Sequence, residues 1–246
     1  MKIIKLCMLS FLFLSLSCSV SEDTILESQE VSGTHSFVYQ STSSVFDPGN
    51  NANAYDTAGQ LHDALFEAYF SSIDQKQQSV VDVVQSITSL AHSNAHFVHL
   101  SDTSYVFDSF LRLEAVLKSP NVALTASIDL QIEDPTIALL FKDFLTQFEV
   151  HCSSEDDYAV LHAEVVAFEA HILSMPSLTT SDVAQILTTT SVLRYSVARR
   201  KKRPKKNTDP EWDLLIANMT GSLEGSSKNM QEAIVFSLVV GILENQ

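Results

Sequence analysis

Residues 158–172 read YAVLHAEVVAFEAHI, the most regular helical pattern in the chain. Its large apolar residues recur three and four positions apart, at Tyr158, Leu161, Val165, Phe168 and Ile172. That spacing places side chains on one face of an α-helix. Ser153 or Ser154 is the expected N-cap, and Pro176 is expected to end the helix. The stretch therefore predicts an amphipathic helix with one buried face.

The same period appears on both sides of this stretch. Apolar stripes of helical spacing occupy residues 61–73, 80–91, 105–117, 122–130, 137–148 and 183–197, with two further helices after residue 209. Asp134-Pro135 is expected to open one of them, Thr180 or Ser181 another, and Ser226 or Ser227 the last. Only six Gly and six Pro occur, too few for a sandwich or barrel with a tight turn every ten residues. The sequence predicts an all-α bundle of about eight amphipathic helices.

The first 21 residues have the pattern of a secretory signal peptide. Lys2 and Lys5 precede an apolar stretch from Leu6 to Leu16, and small residues follow where signal peptidase cleaves. The apolar stretch is too short to cross about 30 Å of hydrocarbon as a helix. The chain is therefore expected to be secreted without a membrane span. Cleavage just before Cys18 would instead leave a lipid-anchored protein.

Composition divides the rest of the chain into four parts. Residues 22–54 form a polar leader that is expected to be disordered. An acidic helical bundle over 55–198 is followed by a polybasic linker over 199–208. Residues 209–246 are expected to form a C-terminal helical pair that packs on the bundle.

Charge is distributed unevenly along the chain. From Glu22 to Ala198 there are 24 acidic residues against five basic ones, and the net charge of the whole chain is −15. Such a surface repels nucleic acid and anionic membranes, so neither is an expected partner. Clustered carboxylates also repel one another when ionised and can associate once protonated, which leaves open a pH-responsive surface.

A basic run interrupts this acidic pattern. It consists of Arg199, Arg200, Lys201, Lys202, Arg203, Lys205 and Lys206. Four interpretations remain open: a solvated loop, a processing site that releases a C-terminal segment, a strap that docks on acidic surface, and a nuclear-targeting patch.

His92, His96 and His99 form the nearest approach to a metal-binding pattern. Their spacing would put all three on one helical face, within reach of one metal ion or as a pH-sensing group. A second set, His162, Glu164, Glu169 and His171, could add ligands. The residues between His92 and His96 lack the glutamate that metalloproteases use. No metal or other cofactor is therefore predicted, and the histidines stay weak candidates.

Catalytic signatures are missing from the sequence. It has no Gly-x-Ser-x-Gly elbow, no phosphate-binding loop and no Gly-x-Gly-x-x-Gly fingerprint. No catalytic residue is nominated, and the chain is predicted not to be an enzyme.

Three further features bear on partners. Cys152 is the single cysteine left if cleavage falls after Cys18, and it is either buried or available for an intermolecular disulfide. Asn218 begins a glycosylation sequon, which requires that its helix face be exposed. Residues Ile234–Leu243 carry no charge, so this last helix must be buried, either in the bundle or against a partner.

The acidic bundle resembles the helical assembly domains of spider silk proteins. The resemblance rests on scarce cysteine and on paired helical segments such as Leu61–Ile73 followed by Val80–Ala91, and it covers about a third of the chain. It implies storage at neutral pH and dimerisation on acidification. The poly-Ala and Gly-rich repeats of silk are absent.

These features favour an exported, non-enzymatic protein that binds a protein partner or a second copy of itself. The last helix, Cys152 and the basic run are the features expected to mediate self-association. The alternatives are a precursor cut at the basic run, a silk-like pH-responsive assembly protein, and a His-rich metal-binding protein or surface lipoprotein.

Overall fold

The computed structural model describes residues 47–72, 78–154, 157–200, 211–244 and 246. Within them the chain is all-helical, with ten α-helices and no β-strand, which confirms the predicted fold class. None of the described helices is both long and apolar enough to cross a membrane. The expected signal peptide and most of the expected leader lie outside the described residues.

The ten helices follow one another with short connections. Their bounds are α1 (Asp56–Ser72), α2 (Val80–Ser93), α3 (Ala95–Val98), α4 (Phe110–Lys118), α5 (Pro120–Gln131), α6 (Pro135–Ser154), α7 (Tyr158–Leu173), α8 (Thr180–Arg200), α9 (Glu211–Ser226) and α10 (Met230–Glu244). The longest described connection without a helix runs from residue 99 to 109 and joins α3 to α4.

The expected number of about eight helices is too low, partly because Asn94 divides one of them. Its backbone is extended, with φ −94° and ψ 112°, so the helix that begins at Val80 ends at Ser93. The Asn94 side chain then accepts a hydrogen bond from Phe97 N at 3.1 Å and caps the four-residue α3. An asparagine that bonds nearby backbone competes with helix continuation.

Helix starts agree with the sequence at α6 but differ elsewhere. Asp134 Oδ1 accepts from Thr136 N at 2.7 Å and opens α6 as predicted. The predicted N-cap of α7 is wrong: Ser153 and Ser154 are the last residues of α6, and Asp157 caps α7 by accepting from Ala159 N at 2.9 Å. A serine inside a helix can donate to a carbonyl one turn back, as both do here, so it does not have to begin one.

The caps of α8 and α10 are also displaced from their predicted positions. Thr179 Oγ1 accepts from Asp182 N at 3.0 Å at the start of α8. Asn229 Oδ1 accepts from Glu232 N at 2.8 Å at the start of α10, whereas Ser226 ends α9. Ser, Thr, Asn and Asp cap helices about equally well, so composition alone does not choose among neighbours.

Helix α10 lies at the centre of the bundle. It packs on α9, α1, α2, α4 and α8, and every residue from Gln231 to Ile242 is buried. Its contact with antiparallel α9 is close at Gly225, where an added Cβ would lie 2.5 Å from Ala233 Cα. Glycine is therefore required there by the approach of two backbones. This arrangement confirms that the uncharged last helix must be buried, and it is buried inside the monomer.

Candidate functional site

Two buried side chains of opposite charge connect α7 to α8. Arg194 Nε donates to Glu169 Oε1 at 3.1 Å, and neither side chain is exposed. Thr190 Oγ1 donates to the same carboxylate oxygen at 2.7 Å. Because a buried charge is costly unless it is paired and hydrogen-bonded, this arrangement depends on all three groups.

The chain just before α1 completes this network. Asn50 Nδ2 donates to Glu169 Oε2 at 2.6 Å, and Asn53 Nδ2 donates to Glu169 Oε1 at 2.9 Å. Arg194 Nη1 donates to the carbonyl of Pro48. Asn53 is only 3% exposed. The last residues of the expected leader are thus tied to the bundle, because their carboxamides satisfy a buried carboxylate.

A second buried acid, Glu232, lies in α10. Tyr105 Oη donates to its Oε2 at 2.8 Å, Ser109 Oγ donates to its Oε1, and Arg112 Nη2 lies 3.7 Å from that oxygen. Burial raises the pKa of Tyr105 far above its usual value, and the neighbouring charge of Glu232 raises it further. The phenol therefore stays protonated and keeps donating to the glutamate. The group fixes the connection between α3 and α4 against α10.

His62 of α1 is a buried imidazole. Its pKa is lowered from the usual 6.5 to about 3, chiefly by burial and in smaller part by the positive charge of Arg199, while the nearby Asn218 side chain partly opposes the shift. His62 is therefore neutral at physiological pH. Its chemistry is that of a packed core residue.

Arg199, the first residue of the basic run, belongs to α8. It is 8% exposed and donates to the side chains of Asp63 and Glu67 in α1, with its guanidinium carbon 4.5 Å from the centre of the Phe66 ring. At this position the basic run docks on the acidic body of the same molecule. Lys201–Lys206 lie outside the described residues, as does the side chain of Arg200.

The three candidate metal-binding histidines do not share one helix. His92 lies in the last turn of α2, His96 in α3 and His99 at the end of α3, because Asn94 breaks the helix between them. All three are exposed, and His92 Nε2 lies 2.9 Å from the Tyr105 carbonyl. Over the described ranges, no group of three or more His, Cys, Asp or Glu side chains is arranged to hold a metal ion.

The second predicted ligand set is also divided. Glu169 faces inward to Arg194, whereas Glu164 contacts His151 Nδ1 at 2.8 Å on the flank of α6 and α7. His171 is exposed near the end of α7. The glutamates therefore serve different contacts on opposite sides of one helix.

A small open pocket lies beneath the connection between α3 and α4. Its volume is about 220 Å³, and its lining includes His92, Phe97, Asp102, Tyr105 and Gln231. Gln231 Nε2 donates to the Phe97 carbonyl at 3.2 Å, so part of this lining is engaged in holding the fold. The pocket is smaller than the roughly 300–1,000 Å³ of typical ligand sites.

The two candidate modification sites are buried. Asn218 is 2% exposed, and its Nδ2, the atom that a glycan would occupy, donates to Ser196 Oγ at 3.0 Å. The exposure that glycosylation requires is therefore not provided by the folded chain. Cys152 is 4% exposed within the core of α6, so an intermolecular disulfide would require local opening.

The surface of the last helix that was expected to mediate association is buried inside the monomer. Because α9 and α10 form the centre of the bundle, a cut in the linker before α9 would leave the C-terminal segment held by its core contacts. Release of that segment would require unfolding. Neither the last helix nor Cys152 offers a surface to a second molecule.

An apolar surface that sequence reasoning missed lies on the outer face of α7. Val160 is 50% exposed and Leu173 is 45% exposed, near the two ends of the helix. Ala163, Ala167 and Ala170 are exposed between them, four and three residues apart. The sequence contains a pattern that could have predicted this surface, because the three alanines follow a helical spacing of their own, offset from the buried stripe. We call these five residues the α7 outer face.

No protein-family model, no curated protein and no solved structure matches this chain. The resemblance to silk assembly domains therefore rests on the sequence pattern alone.

Proposed function

We propose that this chain is an exported, non-enzymatic helical protein that acts by binding a protein partner through its surface. The observation that carries the proposal is the α7 outer face, an uncharged apolar surface on a protein of net charge −15. Exposed apolar patches with polar surroundings often mark sites of protein association.

The arrangement of the buried charges supports a non-enzymatic role. Glu169 is paired with Arg194, which also pairs with Asp56, and Glu232 is held by a tyrosine, a serine and an arginine. These groups stabilise contacts between helices, and of them only Tyr105 also lines the small pocket.

Export is supported by the signal-peptide pattern of the first 21 residues. Intact mass of the secreted material tests it together with the processing alternative. We expect one species that begins near Glu22 and extends to Gln246. Two pieces joined at the basic run would favour processing, and a lipid adduct on Cys18 would favour a surface lipoprotein.

Chemical cross-linking in the medium into which the protein is secreted tests the binding role. We expect a cross-linked species heavier than the monomer, whose yield falls in an Ala167→Glu variant. An Ala115→Glu variant, on the exposed side of α4, serves as the matched control and should cross-link like the native chain. A monomer mass for all three proteins would contradict the proposal.

A further inference from the structure

We propose that the α7 outer face joins two copies of this chain, packed antiparallel about a two-fold axis near Ala167. The inference rests on the proposed binding function and names its partner. A closed two-fold contact uses the same patch on both molecules, so the patch must be complementary to itself. An uncharged face satisfies this condition.

The geometry of the face suits packing of one helix against another. Ala163, Ala167 and Ala170 form a low ridge between Val160 and Leu173. Small side chains let helix axes approach within the 8–10 Å of ordinary helix pairs. In an antiparallel pair centred on Ala167, Ala163 of one copy would lie opposite His171 of the other, and Val160 would lie near residue 174.

Charge favours a second copy over a basic partner. A basic partner would gain most on the carboxylate-rich surface, away from an uncharged face. A second copy would be repelled by the carboxylate-rich surface, because few of the cations in its described residues are free to pair with those carboxylates. Described surface cations such as Arg112, Lys142 and Lys228 already pair with carboxylates of their own chain. At the α7 outer face, two identical acidic molecules can approach without setting like charges directly opposite.

The charged groups near the face lie at its edges. Glu164 is on one flank with a side-chain exposure of 24%, and it already contacts His151. His171 lies near the same flank, and Glu169 points inward to Arg194. The neighbouring helix α6 adds exposed Asp143 and Glu149.

The expected contact is weak. Sixteen residues of α7 give a helix about 24 Å long, so one helix pair buries less than the roughly 800 Å² per partner of a standard interface. Leu139 and Val150 of α6 are 56% and 62% exposed and could extend the contact, since α6 packs on α7. We expect dimerisation that depends on concentration and on salt.

Salt separates this contact from docking through the basic run. Added salt screens repulsion between two acidic bodies, so association through α7 should strengthen as ionic strength rises. Docking of basic residues on carboxylates should weaken under the same change.

Sedimentation velocity over a range of protein and salt concentrations tests the inference on the chain from Glu22 to Gln246. We expect the native chain and Ala115→Glu to dimerise, whereas Ala167→Glu and Ala170→Glu should raise the dissociation constant at least about tenfold. Circular dichroism should show that all four proteins are folded, because these alanines are exposed.

Each other outcome overturns the inference. Dimerisation of Ala167→Glu at the native strength would place the contact elsewhere. A monomeric native chain that still forms Ala167-dependent cross-links with another protein in the medium would overturn the second copy as partner and leave the proposed function standing. Ala167-dependent binding to neutral phosphatidylcholine vesicles, without dimerisation, would identify a lipid surface instead.

Discussion

Helices α7 and α10 have similar apolar character but are covered very differently. Residues 231–242 of α10 are buried on every side by five neighbouring helices. Helix α7 packs mainly on α6 and α8, which cover Leu161, Val165, Phe168 and Ile172 and leave its outer face exposed. An apolar helix surface is normally buried. The comparison teaches that one helix completes its burial within the monomer and that the other leaves an apolar surface exposed, which the proposed dimer would cover.

The same substitution in the two helices should have the largest difference in effect. Ala233 of α10 is 0% exposed and lies against Gly225, so Ala233→Glu places an unpaired charge in a closely packed core. We expect a loss above about 4 kcal/mol and no cooperative unfolding transition. Ala167→Glu on α7 should change the free energy of unfolding by less than about 0.5 kcal/mol.

Circular dichroism and urea denaturation of the two variants measure this contrast. A stable, folded Ala233→Glu protein would show that α10 is not enclosed on every side. Loss of folding in Ala167→Glu would show that the α7 outer face is covered within the monomer.

The inner side of α7 provides the next test. Arg194→Met leaves Glu169 buried without its counter-ion, and we expect a loss of about 3–5 kcal/mol in urea denaturation. A double variant, Arg194→Met with Glu169→Gln, should recover part of this loss because residue 169 no longer carries an unpaired buried charge. Equal stability of the single and double variants would mean that the ion pair does not hold α7 to α8.

Because α9 and α10 pack so closely, replacing a glycine by alanine at their contact should lower the stability of the protein, where the same change in a helix usually raises it. Gly225→Ala would set a Cβ 2.5 Å from Ala233 Cα, so we expect a loss of about 1–3 kcal/mol. In an open helix the same change normally stabilises by roughly 0.5–1 kcal/mol. Ala163→Gly on exposed α7 is the reverse control and should cost up to about 1 kcal/mol. Stabilisation by Gly225→Ala in thermal unfolding would contradict the close approach.

The smallest expected effect is the contribution of His62, in α1, to the pH dependence of stability. His62 has a folded-state pKa of about 3 against a usual 6.5, so the unfolded chain binds more protons between these values. Stability contributed by neutral His62 is therefore present above pH 6.5 and falls as pH decreases towards 3. We expect about 1 kcal/mol of loss between pH 6.5 and 5.5 from this group. His62→Gln should remove that part of the slope in denaturation measured at several pH values, and an unchanged slope would contradict the assignment.

Local features of the fold could be predicted from the sequence, whereas long-range ones could not. The stripe from Tyr158 to Ile172 is buried as its period indicated, and Asp134-Pro135 opens a helix. The break at Asn94 depends on a choice between two backbone hydrogen-bonding patterns that periodicity does not distinguish.

The buried charge network illustrates the limit more clearly. Glu169 and Arg194 lie 25 residues apart in sequence, and Asn50 lies 119 residues from Glu169. Their pairing depends on how α7, α8 and the chain before α1 pack together. No local spacing encodes that packing, so the sequence alone presents the carboxylate as a ligand candidate and the asparagines as part of a polar leader.

Disulfide trapping at Ala167 tests the central claim most directly. In a dimer centred on this residue, the two Cα atoms of residue 167 would lie roughly 4.4–6.8 Å apart, which is the separation that a disulfide requires. The two thiols of an Ala167→Cys variant could then form a disulfide. Under mild oxidation we expect Ala167→Cys to form a covalent dimer much faster than Ala115→Cys, which shares the same buried Cys152 and is exposed on α4. Equal rates for the two variants, or no covalent dimer of Ala167→Cys at concentrations where the native chain associates, would contradict a contact through the α7 outer face.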